Sequence, residues 1–185
     1  MKLSIKKIFK ISIVLMLVAG LSGGLIVLVN MVTEPIIIEN SIKQENSALA
    51  EIFDGASFEV LDESGEAEIK KVTKATKNDE VVGYVYRLSG KNAYGIITLL
   101  VGVSKNGNVT KVVFLENGQS FASKVEEHVD ATYQTGDVST SSIDSVDTKC
   151  GATYGAKLVK VLVSSALDHF KENFKGGLEW WTKNK

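Results

Sequence analysis

The sequence predicts an α+β protein: one N-terminal transmembrane helix, then an antiparallel sheet packed with helices. Three observations predict it. Residues 11–33 carry no charge. Three runs rich in Val, Ile and Tyr, at 81–88, 94–103 and 109–115, follow one another with turn residues between them. Two later segments repeat apolar residues at every fourth position. The first pattern reads as a bilayer span, the second as a meander of at least three strands, and the third as helices that cover it.

The span comes first. At ~1.5 Å per residue the uncharged run reaches ~34 Å as a helix, against a hydrocarbon core of ~30 Å. A helix satisfies its own backbone polar groups, so it can sit in lipid. Gly20, Gly23 and Gly24 allow a neighbouring helix to approach closely. A cleaved signal peptide has a shorter apolar region closed by a small-residue cleavage site. Neither that site nor a lipid-accepting cysteine closes this run, so it reads as a retained anchor. Lys2, Lys6, Lys7 and Lys10 precede it, whereas Glu34 and Glu39 follow it. The positive-inside rule then keeps residues 1–10 in the cytoplasm. The expected division is a cytoplasmic N-terminus at 1–10, the span at 11–33, a stalk helix at 34–53 and an extracytoplasmic domain at 54–185.

Pro35 suits a helix start, where its missing N–H costs nothing. Ile38, Ile42, Leu49 and Phe53 give the stalk helical spacing in part. Residues 54–80 are polar and rich in Glu and Lys, and read as loop around a short strand at 58–61. Lys105-Asn106-Gly107-Asn108 separates the second and third apolar runs. Asn-Gly there marks a hairpin turn whose two central residues take positive φ. Phe121, Val125 and Val129 define one helix face. Leu158, Leu162, Ala166 and Phe170 define another, on a helix from about residue 155 to 174. A Ser/Thr-rich loop at 132–148 joins them. Trp180 and Trp181 read as packing or membrane-surface residues.

Composition removes several classes. A chain of 185 residues with a formal charge of −1 and no basic stripe does not suit nucleic acid. One cysteine, Cys150, makes neither an internal disulfide nor a multi-cysteine metal site. His128 and His169 stand far apart in polar surroundings and read as solvent-facing. No metal-ligand cluster is visible.

The informative segment is Asp147-Thr148-Lys149-Cys150-Gly151-Ala152-Thr153, where the polar loop enters the last helix. A helix start offers unpaired N–H groups and the positive end of the dipole, a natural seat for phosphate. Gly151 and Ala152 leave the backbone open to a bulky group. Thr153 adds a hydroxyl. The same residues also fit a plain N-cap, since Thr is a common one. Cys150 reads more readily as a packed thiol than a redox one.

Asp147-x-x-Cys150-Gly151-Ala152-Thr153 resembles the flavinylation motif of the FMN-binding domain family, commonly Asp-x-x-Ser-Gly-Ala-Thr. Gly83-Tyr84 is similar to the family's Gly-Tyr at a strand start, and the resemblance covers about residues 80–172. It implies that a flavin transferase moves FMN from FAD onto the Thr153 hydroxyl, leaving a phosphoester. It also implies cofactor-binding roles for Asp147, Cys150, Gly151, Ala152 and Glu116. Three departures stand out. Cys150 replaces the Ser. Gly155-Ala156 replaces a frequent Thr-Ser. Glu116-Asn117-Gly118-Gln119 stands where the family often has Glu-Thr-Pro-Gly, with Glu116 kept.

Size and layout are most similar to the G-subunit family of Rnf-type complexes. That likeness implies a membrane-anchored electron-transfer subunit in an ion-translocating ferredoxin:NAD oxidoreductase complex. The chain would be an electron carrier rather than a complete enzyme. Its partners would be the other integral membrane subunits, plus the flavin transferase during maturation. Two other readings remain open: a stand-alone extracytoplasmic flavoprotein in another electron-export or respiratory route, or an anchored binding or sensory domain without a cofactor.

Overall fold

The computed structural model describes residues 5–63, 68–134 and 136–174. Trp180, Trp181 and Lys2 lie outside the described residues. The chain forms two compact units, Met1–Gln44 and Glu45–Lys185. One helix, α1 (Ile5–Ile52), begins in the first and ends in the second.

In the first unit, residues 11–33 of α1 are uncharged on every side. Its best 18-residue window has a mean hydropathy of 2.6, and none of that window is buried. A helix apolar all round belongs inside a core or a bilayer. No core covers this one, so it fits a single-pass membrane anchor. Pro35 lies inside α1, not at a helix start. Proline removes one intrahelical hydrogen bond. Here long helical stretches flank it on both sides, and helix propagation tolerates the gap once a nucleus exists.

The second unit is built on a five-stranded antiparallel sheet in simple sequential order. Its strands are β1 (Ser57–Asp62), β2 (Ile69–Lys77), β3 (Glu80–Asn92), β4 (Gly95–Ser104) and β5 (Val109–Asn117). After them come α2 (Ala122–Tyr133), a single 3₁₀ turn (Ile143–Ser145) and α3 (Thr153–Asn173). The three expected strands are present, as is the short one near residue 58. The fold class is the one the sequence predicts.

Strand β2 corrects the expectation of a loop. Its Lys and Thr residues read as polar chain, but they pair across the sheet and with α1. Lys71 Nζ lies 3.1 Å from Glu45 Oε1, and Lys74 forms an ion pair with Glu59. Lys77 donates to the Asp54 carbonyl at 2.7 Å. Only Val72, Thr73 and Ala75 are buried, so the apolar signal was too short to read. Strand propensity is set largely by neighbours, and neighbours are not local in sequence.

The turns are also redistributed. The pair with positive φ at both central positions is Asn78-Asp79, at 52° and 63°, between paired Lys77 and Glu80. The Asn-Gly hairpin closes differently. Gly107 alone takes positive φ, 85°, and its N–H donates to the Ser104 carbonyl at 2.9 Å. The register shifts between Gly102 and Val103, as a bulge beside such a turn requires.

Both faces of the sheet are covered. Tyr84, Tyr86, Leu88, Leu99 and Val101 share one core with Val125 and Val129 of α2 and Val159, Leu162 and Phe170 of α3. Val85 and Leu100 face the other way, onto Ala48, Leu49 and Ile52 at the end of α1. That end seats so closely that a Cβ on Gly102 would land on Ile52 Cγ2. Glu45 is locked there too, accepting from Lys71 and from Arg87 Nη1 at 2.7 Å.

The two histidines are not solvent-facing. His169 is half-buried, with its Nδ1 3.4 Å from the Tyr86 hydroxyl. Burial lowers its pKa below the ordinary 6.5, partly opposed by Asp62 and Glu172. His128 Nε2 is buried and has no hydrogen-bond partner among the described residues. Helical periodicity turns both inward enough to lose water, which their polar sequence neighbours conceal.

Two outcomes are expected. Gly102→Ala overpacks the contact with Ile52 and lowers stability by ~1–3 kcal/mol, read as a lower Tm of the full-length chain in mild detergent. An unchanged Tm would show that the end of α1 does not seat on the sheet. For His169 the folded pKa lies below the unfolded one, so the fold favours the neutral ring. Its stability is complete above the unfolded value of 6.5 and is lost as pH falls below it. Tm should therefore drop between about pH 7.5 and pH 5.5. His169→Gln should flatten that slope, and an unaltered slope would contradict the assignment.

Candidate functional site

The last helix begins at Thr153. Ala152 occupies the N-cap position with φ −128° and ψ 47°, and makes no side-chain cap. Thr153 is thus the first helical residue, one place later than a cap and two earlier than the helix start expected at 155. Its hydroxyl has no hydrogen-bond partner among the described residues. The first intrahelical bond at this end runs from the Ala156 N–H to the Ala152 carbonyl at 3.1 Å. The N–H groups of 153, 154 and 155 therefore find no acceptor inside the helix. No acidic residue occupies the first turn. The positive end of a 21-residue helix is left unneutralised.

The approach to this point is fixed from several sides. Ile143 is buried at 3% exposure and anchors the 3₁₀ turn. Lys160, two turns along α3, reaches back and donates to the carbonyls of Asp144 at 2.7 Å and Val146 at 3.0 Å. Asp147 Oδ1 accepts from the Lys149 N–H at 3.1 Å, a turn typical of Asp. Gly151 then takes φ 80°, and nothing lies within 4 Å of where a Cβ would stand.

A cavity of about 270 Å³ opens at the helix start. Residues 151–155 form one wall. Tyr94, from the β3–β4 turn, and Gln119, Ser120 and Phe121, from the β5–α2 connection, form the rest with Val125. The structure thus brings Gly151, Ala152 and Thr153 to the cavity. Asp147 and Cys150 do not line it; Asp147 is exposed and Cys150 half-buried in the segment that leads to it. Glu116 is exposed on β5, opposite Thr98, and does not line it either.

Two residues without a sequence signal organise the site. Asn92 and Gln119 form a reciprocal amide pair, each donating to the other at 3.1 Å. Asn92 Nδ2 also donates to the Tyr154 carbonyl at 3.2 Å, and its Oδ1 accepts from the Tyr94 N–H at 2.8 Å. Gln119 Nε2 donates to the Gly95 carbonyl at 2.8 Å. One pair thereby ties the β3–β4 turn, the β5–α2 connection and the first turn of α3. Gln119 is 7% exposed, so its polar groups need these partners. Gln119 stands in the stretch that departs from the family pattern, and the departure itself was the only available pointer.

Gly155 explains another departure. A Cβ there would lie 2.5 Å from Val125 Cγ2 and 3.3 Å from Gln119 Oε1. A larger residue would push α2 away, so the close α2–α3 packing of this chain requires glycine.

Residues 1–52 match the family model described as the RnfG N-terminal region. The N-terminal region is RnfG-like. The match runs to the last residue of α1 and stops before the sheet. The RnfG-like stretch therefore includes the span and the helix end that packs on the sheet, and none of the cavity wall. Among curated proteins none matches the chain.

The arrangement suits an anionic group at the start of α3, beside the Thr153 hydroxyl. Lys160 holds residues 144–146 of the incoming loop against the helix. Lys160→Met should speed amide hydrogen exchange in that segment by several-fold while leaving the β3–β4 amides protected. Unchanged exchange would mean that Ile143 alone holds the segment.

Proposed function

We propose that this chain is a membrane-anchored electron-transfer subunit that carries FMN as a phosphoester on Thr153. The complex it serves, in this reading, is an Rnf-type ion-translocating ferredoxin:NAD oxidoreductase. One observation carries the cofactor assignment. Thr153 Oγ, without a partner, stands at a cavity wall beside three free amides and an uncapped helix start. The RnfG-like N-terminal region supports the complex. The flavinylation motif in residues 147–153 supports the ester.

The residues present fit the group. The amides of 153–155 and the helix dipole would hold the phosphate, since anions at helix starts gain roughly 0.3–1 kcal/mol even when exposed. Gly151 leaves that approach open. During maturation Thr153 Oγ would bond to the FMN phosphorus of FAD as the bond to the AMP phosphate breaks, with AMP as the leaving group and the hydroxyl proton passing to the transferase or solvent. Once bound, the flavin supplies reversible one- and two-electron chemistry. The protein orients it and moves no proton in this proposal.

Asp147, Gly151 and Ala152 would be the elements that the transferase reads, and Cys150, in the segment leading to the cavity, is assigned to the cofactor by the motif alone. Glu116, exposed on β5, is assigned to the cofactor by the motif alone. The four lysines before the span favour a cytoplasmic N-terminus, with the domain on the extracytoplasmic side of the cell membrane.

The test is co-expression with a flavin transferase, followed by denaturation and in-gel flavin fluorescence. Wild type should give a fluorescent band that survives denaturation. Thr153→Ala should lose it while keeping its Tm, because the hydroxyl supports no folded-state bond. A band in Thr153→Ala would move the attachment elsewhere. No band in wild type, with an active transferase, would leave an anchored domain without flavin.

A further inference from the structure

Among the described aromatic rings of the second unit, Tyr84, Tyr86, Tyr133 and Phe170 are at most 7% exposed, and Phe53, Phe58, Phe114 and Phe174 are half-buried. Around the cavity the rule reverses. Tyr94 is 45% exposed, Tyr154 64% and Phe121 63%, and all three line the same concave wall. Large rings left in water around one cavity mark a place where something apolar and flat is missing.

The backbone that carries two of these rings is held in place. The Tyr94 N–H and the Tyr154 carbonyl both bond to the side chain of Asn92, and Gln119 fixes Asn92 in turn. Tyr94 and Tyr154 lie 5.2 Å apart, centre to centre, at an interplanar angle of 33°. They are tilted rather than stacked, so neither seals the other. Tyr154 also directly follows Thr153 in the first turn of α3.

We propose that Tyr94, Tyr154 and Phe121 form the seat of the flavin's tricyclic ring, with Asn92 and Gln119 as its positioning residues. The proposal rests on the Thr153 reading, because a group esterified there has these rings as its neighbours in the cavity. Offset contact with aromatic faces is the arrangement a flat conjugated ring prefers. The amide pair fixes the backbone positions from which the two rings project, which lowers the ordering cost when the flavin docks. Glu116 has no part in the seat, since it does not line the cavity.

The experiment uses the full-length chain, flavinylated in cells and purified in mild detergent. Three quantities are measured: the denatured-gel flavin band, the folded-state flavin emission relative to the unfolded, and the visible circular dichroism of the flavin. A tyrosine in contact with a flavin quenches its emission, so wild type should emit several-fold less when folded. The double variant Tyr94→Leu/Tyr154→Leu should keep the gel band, recover at least twofold of the emission and lose most of the visible dichroism. Tyr94→Phe/Tyr154→Phe should recover emission yet keep the dichroism, because phenyl rings stack without quenching. This second pair also guards against a folding defect in the first.

Unchanged emission and dichroism in the Leu variant would overturn the seat while leaving the Thr153 ester standing. So would equal emission of folded and unfolded wild type, which would assign the exposed rings to a protein partner. Absence of the denatured band in wild type would sink the attachment reading and this seat with it.

Discussion

Tyr86 and Leu99 face α3, while Val85 and Leu100, one residue away on the same strands, face the end of α1. Burial of β3 and β4 on both faces is the constraint on which the rest of the second unit depends. It explains why β4 is buried over almost its whole length instead of at alternate positions. It sets the demand for Gly102 beneath Ile52. It also fixes α3 against one face of the sheet, and so decides where the start of α3 falls.

That start is polar in a way the core is not. A side-chain N-cap typically contributes about 1 kcal/mol to a helix. Here Ala152 makes none, and no first-turn carboxylate compensates. The helix is instead held from outside its own first turn, by Asn92 accepting from one ring residue and donating to the carbonyl of another. Lys160 holds the incoming loop in the same indirect manner, through the carbonyls of residues 144 and 146. The missing cap leaves three amides and a hydroxyl open beside a cavity. An anion at that point would meet the unneutralised dipole.

Much of this was legible along the chain. The uncharged run at 11–33, the three apolar strands and the periodic helices each carry their signal in neighbouring residues. The segment 147–153 stands out for the same reason: a glycine, small neighbours and a hydroxyl before a helix are all local features. Strand β2 was not, because its Lys and Thr residues gain their partners from Glu45, Glu59 and Asp54 elsewhere in the chain. The burial of His169 was hidden likewise, since Tyr86 lies far from it in sequence.

The sequence by itself determined the apolar N-terminal helix and the fold class, because hydropathy and periodicity act over a few positions. Only the tertiary structure decided which of the named residues share a cavity. It brought Gly151, Ala152 and Thr153 to its wall, left Glu116 outside, and added Asn92, Tyr94, Gln119 and Phe121. The physical reason is that a cavity is made where separate elements pack. Its lining depends on the register of β3 against β4 and on the seating of α3, and neither is written in any single stretch of the chain.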